Sequence, residues 1–115
     1  MPLINNFTRF WVLKSIRALT FFFRPGGSED SVMITRGTGW VRHRLIVESS
    51  GTYSFRFSGS LTDGNVEVSI LNAKKEPLAK LDPDHRDEDI FLEAGNKYYL
   101  RWDFRKVSGQ FELHW

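Results

Sequence analysis

The sequence predicts an all-β protein, an antiparallel jelly-roll-like β-sandwich of seven to nine strands. A repeated unit carries most of this reading: Ser50-Gly51-Thr52-Tyr53-Ser54-Phe55-Arg56-Phe57, Ala94-Gly95-Asn96-Lys97-Tyr98-Tyr99-Leu100-Arg101-Trp102 and Ser108-Gly109-Gln110-Phe111-Glu112-Leu113-His114-Trp115 each run a glycine turn into an aromatic-rich alternating strand. Glycine tolerates the positive φ of a tight strand entry, and side chains at every second position line one face of a sheet. The other two observations are the short, regular spacing of turn residues after residue 40 and the 10 Phe, 4 Trp and 3 Tyr available for a core. Each buried ring removes about 150–250 Å² from water. At 115 residues, the chain reads as a single domain over 1–115, able to bury roughly two thirds of its unfolded surface.

The first segment is apolar and basic. Residues 3–23 are rich in Leu, Ile, Val, Phe and Trp, but Arg9, Lys14 and Arg17 interrupt them, so no run of about 18 uncharged residues spans a bilayer. Those internal charges, and Pro25-Gly26-Gly27 where a small-residue cleavage site would stand, also disfavour a secretory signal. A short helix over about 6–18, capped by Asn5 or Asn6, would put Val12, Ile16 and Leu19 on one side and Lys14 and Arg17 away from it. Thr20 to Arg24 suits a strand covered on both faces, ended by Pro25-Gly26-Gly27. Residues 28–39, polar and glycine-rich, read as loop, so that 1–39 forms an aromatic, basic arm and loop.

Strands then follow over 40–48, 52–58, 65–71, 78–81, 89–93, 97–105 and 110–115, with Asp63-Gly64 and the stretch 72–77 as turn signals. Period-two alternation sorts their faces. Tyr53, Phe55 and Phe57 point inward, as do Val66, Val68 and Ile70, then Tyr98, Leu100, Trp102 and Phe104, and finally Phe111, Leu113 and Trp115.

From residue 42 to the end, Gly51-Thr52-Tyr53-Ser54-Phe55, Val66-Glu67-Val68-Ser69-Ile70, Pro77-Leu78, Ala94-Gly95 with Tyr98-Tyr99-Leu100, and Gly109-Gln110-Phe111-Glu112-Leu113 resemble the bacterial pre-peptidase C-terminal domain. That family is a jelly-roll-like sandwich related to bacterial collagen-binding domains. The resemblance implies an accessory module of the kind found on secreted hydrolases. Where the family has an Asp-x-Asp pair entering its third strand this chain has Asn65-Val66-Glu67, so no calcium site is carried over.

Formal charge is only +2, unevenly placed: residues 1–60 hold 8 Arg and Lys against 3 Asp and Glu, and residues 61–115 hold 8 against 11. Arg42, Arg44, Arg56, Arg101 and Arg105 occupy outward strand positions. Brought together with Tyr99 and Trp40, they would form a basic, aromatic face for an acidic glycan or a protein chain, since guanidinium groups bond anions in pairs and rings stack on sugars. The opposing reading is that these arginines solvate exposed strands and pair with Glu67, Asp103 and Glu112. Nucleic acid is not among the expected partners.

No catalytic residue, metal or cofactor is expected. The chain has no Cys, and its His residues at 43, 85 and 114 lack zinc spacing. His43 alternates with Val41 and Leu45 and reads as a partly buried strand residue. There is no Gly-x-Ser-x-Gly elbow and no phosphate-binding loop before a helix. Between 82 and 89, five carboxylates surround Arg86 without the turn glycine or closing Glu of a calcium loop. The sequence therefore points to a non-catalytic binding or accessory domain. The alternative is an assembly protein that forms homo-oligomers, or docks on a partner or membrane surface, through Phe7, Phe10, Trp11, Lys14 and Arg17.

Overall fold

A computed structural model describes residues 12–115. Seven strands follow one another with no helix among the described residues: β1 (Leu13–Arg17), β2 (Thr20–Pro25), β3 (Glu29–Leu45), β4 (Gly51–Leu71), β5 (Pro77–Leu81), β6 (Asp87–Leu92) and β7 (Tyr98–His114). All their pairings are antiparallel.

The three longest strands, β3, β7 and β4, lie side by side at the centre of the sheet and each contributes to two layers. In the front layer the second half of β3 pairs with β1 and with the first half of β7, which pairs with the second half of β4 and through it β5. In the back layer the first half of β3 pairs with β2 and with the end of β7, which pairs with the first half of β4 and through it β6. Register breaks between Ile34 and Gly39 in β3 and between Leu61 and Asn65 in β4 mark the bends. There Arg36, Lys106 and Gly64 take left-handed φ values of 50°, 47° and 74°. The Arg36 amide donates to Ser108 Oγ (2.9 Å) and the Lys106 amide to Thr38 Oγ1 (3.0 Å), so hydroxyls satisfy groups that leave the ladder.

The inner faces close on an aromatic core. Phe57 of the back layer lies 6.0 Å from Trp102 of the front layer and 5.9 Å from Phe111, and Trp102 stacks on Phe104 at 6.1 Å. Trp102, Phe55, Phe111, Leu100, Leu113, Val68 and Ile70 are fully buried, each contributing about 1.5–3 kcal/mol if aliphatic and more if aromatic. The inward positions expected from alternation are therefore inward, with Tyr53 and Trp115 only half-buried at the margin. Asp30 of β3 joins them. Its Oδ2 accepts from His43 Nε2 (2.6 Å) and Trp102 Nε1 (3.0 Å), while Oδ1 has no hydrogen-bond partner among the described residues. His43 Nδ1 faces the Arg44 carbonyl at 3.0 Å. His43 is thus wholly buried, where alternation alone indicated partial burial.

Several boundaries differ from the sequence expectation. Residues 28–39 are not loop: from Glu29 they form the first half of β3, because Asp30, Val32 and Ile34 alternate inward and the polar member finds partners. The described part of the expected helix is strand β1, with Ile16 turned to the core; residues 6–11 lie outside the described residues. Asp63-Gly64 does not reverse the chain. It bends β4, and Gly64 is required because a Cβ there would lie 2.2 Å from the Lys106 carbonyl oxygen. Hence 52–58 and 65–71 are one strand, as are 97–105 and 110–115.

Candidate functional site

The outer face of the front layer is built by alternation. With Val41, His43 and Leu45 directed inward, Trp40, Arg42 and Arg44 face out; with Leu100, Trp102 and Phe104 inward, Tyr99, Arg101, Asp103 and Arg105 face out. Register places Trp40 opposite Asp103, Arg42 opposite Arg101 and Arg44 opposite Tyr99. Two arginines facing each other across a ladder repel. Here each guanidinium lies over an aromatic ring: that of Arg42 sits 5.7 Å from the Trp40 ring and 5.6 Å from Tyr99, and that of Arg101 sits 4.9 Å from Trp40. Arg101 is also neutralised by Asp103, its Nε donating to both carboxylate oxygens at 3.1 Å and Nη2 lying 3.0 Å from Oδ1.

Lys75 completes the cluster, its Nζ 5.1 Å from the Tyr99 ring. The turn after β4 puts it there. Asn72 Oδ1 accepts the amides of Lys74 and Glu76 at 2.9 Å, and Lys75 takes φ 64° at the tip. No sequence signal marked Lys75, because the turn motif says where the chain reverses and not which strand its side chain overlies. Arg42, Arg44 and Lys75 have no carboxylate partner among the described residues, and Arg42 and Lys75 both lie over the Tyr99 ring.

Two of the arginines expected in one cluster lie elsewhere. Arg56 projects from the back layer, on the opposite side of the sandwich, where it pairs with Asp87 (3.3 Å) and Asp89 (3.4 Å) of β6. Arg105 is on the front layer but about 13 Å of strand beyond Arg101, beside a groove of about 730 Å³ that Glu67, Asp82, Asp84 and Asp103 make acidic. Of the expected partner contacts, Phe7, Phe10 and Trp11 lie outside the described residues. Lys14 and Arg17 sit on opposite faces of β1, Lys14 reaching to 5.7 Å from the Phe21 ring, so they do not form one basic helical face.

The acidic loop is internally engaged. Asp82 Oδ1 accepts the amides of Asp84 and His85 at 2.8 Å, and Glu88 pairs with His85. That hydrogen bond, with smaller charge effects from Glu88, Asp82 and Asp87, raises the His85 pKa above 6.5 against a lesser opposing desolvation. Glu29, Glu112 and His114 bring three donor atoms within 4.8 Å of one another at the end of the back layer. All three are exposed, and the His114 ring already pairs with both carboxylates, at 3.6 and 2.9 Å. Asp30 and His43, by contrast, are sealed inside the sandwich and meet no solvent.

Fold and face together define an all-β sandwich with an outward-facing, half-buried cationic and aromatic sheet surface. No family model and no curated protein matches the chain. Among solved structures, an isomalto-dextranase of Arthrobacter globiformis T6 complexed with panose has a similar chain path, with a TM-score of 0.43 and 13% sequence identity. The similarity covers 89% of this chain and 23% of that one, so the chain spans under a quarter of the enzyme's length.

Proposed function

We propose that this protein is a non-catalytic binding or accessory domain whose front face holds an extended anionic polymer, an acidic glycan in the first instance. The observation that carries this is the cluster of Lys75, Tyr99, Arg42 and Trp40, in which cations without carboxylate partners among the described residues lie over aromatic rings. Arginine bonds carboxylate or sulfate groups bidentately while a neighbouring ring covers the apolar face of a sugar. The accessory role agrees with the resemblance to the pre-peptidase C-terminal domain. Arg42, Arg44, Tyr99 and Arg101 remain the binding residues in this reading, with Trp40 and Lys75 added.

An array of sulfated and uronic-acid glycans tests it. Binding should fall steeply with salt, because exposed charges are screened over about 8 Å at physiological ionic strength, and Arg42→Ala plus Lys75→Ala should abolish it. Binding unaffected by that pair, or confined to uncharged peptides, defeats the assignment. A second reading, assembly through the N-terminal edge, is favoured by Leu19 and Phe22, 69% and 67% exposed beside the edge strands β1 and β2. Sedimentation of the whole chain decides it, a concentration-dependent dimer supporting the reading and a monomer at all concentrations removing it.

A further inference from the structure

The opposite side of the sandwich has a surface of different chemistry. Across the outer face of the back layer, Phe22 lies opposite Met33, Met33 opposite Gln110 and Gln110 opposite Ser60, forming one row over four adjacent strands. Arg24, Ser31, Glu112 and Ser58 form the next row in the same way. The two rows line a groove of about 570 Å³, within the range of small-molecule sites.

Three properties narrow its occupant. Its wall is apolar and open, Phe22 being 67% and Met33 44% exposed. Its floor is polar and unengaged: no hydrogen bond to another described residue is made by the side chains of Arg24, Ser58, Ser60 or Gln110. Its charge is balanced, with Arg24 and Glu112 in the same row, in contrast to the cationic front face. A strand-like peptide finds no ladder to extend along the middle of the groove, because β3 and β7 there are each already paired on both sides, and only β2 and the Ser58–Ser60 stretch of β4 border it with an open edge. A ligand that fits must bring its own hydroxyl donors and acceptors together with an apolar face.

We propose that this groove is a second binding site, for a neutral polysaccharide. Phe22 stacks on the face of a sugar ring, Met33 extends the apolar wall, and Ser58, Ser60 and Gln110 exchange hydrogen bonds with ring hydroxyls. Arg24 and Glu112, two strands apart in the second row, bracket the chain, Arg24 donating to one hydroxyl and the Glu112 oxygen not bonded to His114 accepting from another. Because the site is on the far side of the molecule from Arg42, it stands or falls independently of the anionic face.

The test is affinity electrophoresis of the whole chain through gels containing neutral α-glucan, β-glucan, mannan or xylan, run at high salt to silence the front face. At least one polysaccharide should retard the protein, and Phe22→Ala and Gln110→Ala should each lower its affinity about tenfold or more. Both residues lie on the outer face, so unchanged thermal melting will show that the fold persists. Arg42→Ala should leave retardation intact. Migration unaltered by any of the four polymers, or retardation that survives both back-layer substitutions, overturns the proposal.

Discussion

Asp30 and His43 are thirteen residues apart on one strand, yet the Asp30 carboxylate lies 2.6 Å from His43 Nε2. A straight strand of that length would separate them by about 43 Å. The contact exists because β3 folds back across the sandwich, and it ties the first half of the strand in the back layer to the second half in the front layer. Trp102 Nε1 on the same carboxylate adds β7 to the junction.

Breaking this junction should be costly. His43→Leu leaves a buried carboxylate without its main partner and should destabilise by about 3–5 kcal/mol. Trp102→Ala should cost a similar amount, about 3–5 kcal/mol, through the cavity it opens. Urea denaturation monitored by circular dichroism checks both. A loss under 1 kcal/mol for Trp102→Ala would mean that the ring is not in the core.

The bends make an opposite pair of predictions. Lys106 adopts φ 47°, which costs an L-residue about 1–2 kcal/mol. Lys106→Gly should therefore leave stability unchanged or raise it by up to about 1 kcal/mol, after the added chain entropy of glycine. Gly64→Ala should lower the melting temperature, since its Cβ would collide with the Lys106 and Arg105 carbonyl oxygens at 2.2 and 2.3 Å. Equal melting curves for wild type and Gly64→Ala would contradict the bend geometry.

His85 supplies a pH signature. Its folded pKa is raised above 6.5, first by the hydrogen bond to Glu88, so the stabilisation it contributes is fully present below pH 6.5 and lost as pH rises through the folded value. An NMR titration of the imidazole protons should give a midpoint above the ordinary one. Glu88→Gln should bring it down, and a midpoint indifferent to that substitution would remove Glu88 as the cause.

Calcium should not stabilise the protein through the loop from Asp82 to Asp89. Asp82 is engaged by two amides, Asp87 and Asp89 by Arg56, and Glu88 by His85, which leaves Asp84 alone of the five carboxylates without such a partner. A native-state ligand at a hundredfold excess over its Kd adds about 2.7 kcal/mol. The expected result is the same melting temperature in millimolar Ca²⁺ and in chelator; an increase abolished by Asp84→Asn plus Asp87→Asn would reverse this view.

Alternation by itself determined which side chains of the later strands face inward, because a pleated strand sends every second residue to the same side whatever its neighbours are. Phe55, Phe57, Val68, Leu100, Trp102, Phe111 and Leu113 were legible for that reason. The β identity of 29–39 was not: its inward series begins with Asp30, a residue that reads as solvent-facing until the partners His43 and Trp102 come from distant positions. Asp63-Gly64 signals a departure from extended geometry, but a bend and a reversal use the same backbone freedom, and only the carbonyl oxygens of β7 against Gly64 decide for the bend. The outward arginines likewise share a pattern without sharing a surface. Folding of the long strands sends Arg42 and Arg101 to one side of the sandwich and Arg56 to the other, and a turn remote from both lays Lys75 on Tyr99. Local periodicity determines the face of a strand, whereas the layer it joins and the neighbours it meets depend on where the chain bends and on strand register, both set by tertiary contacts.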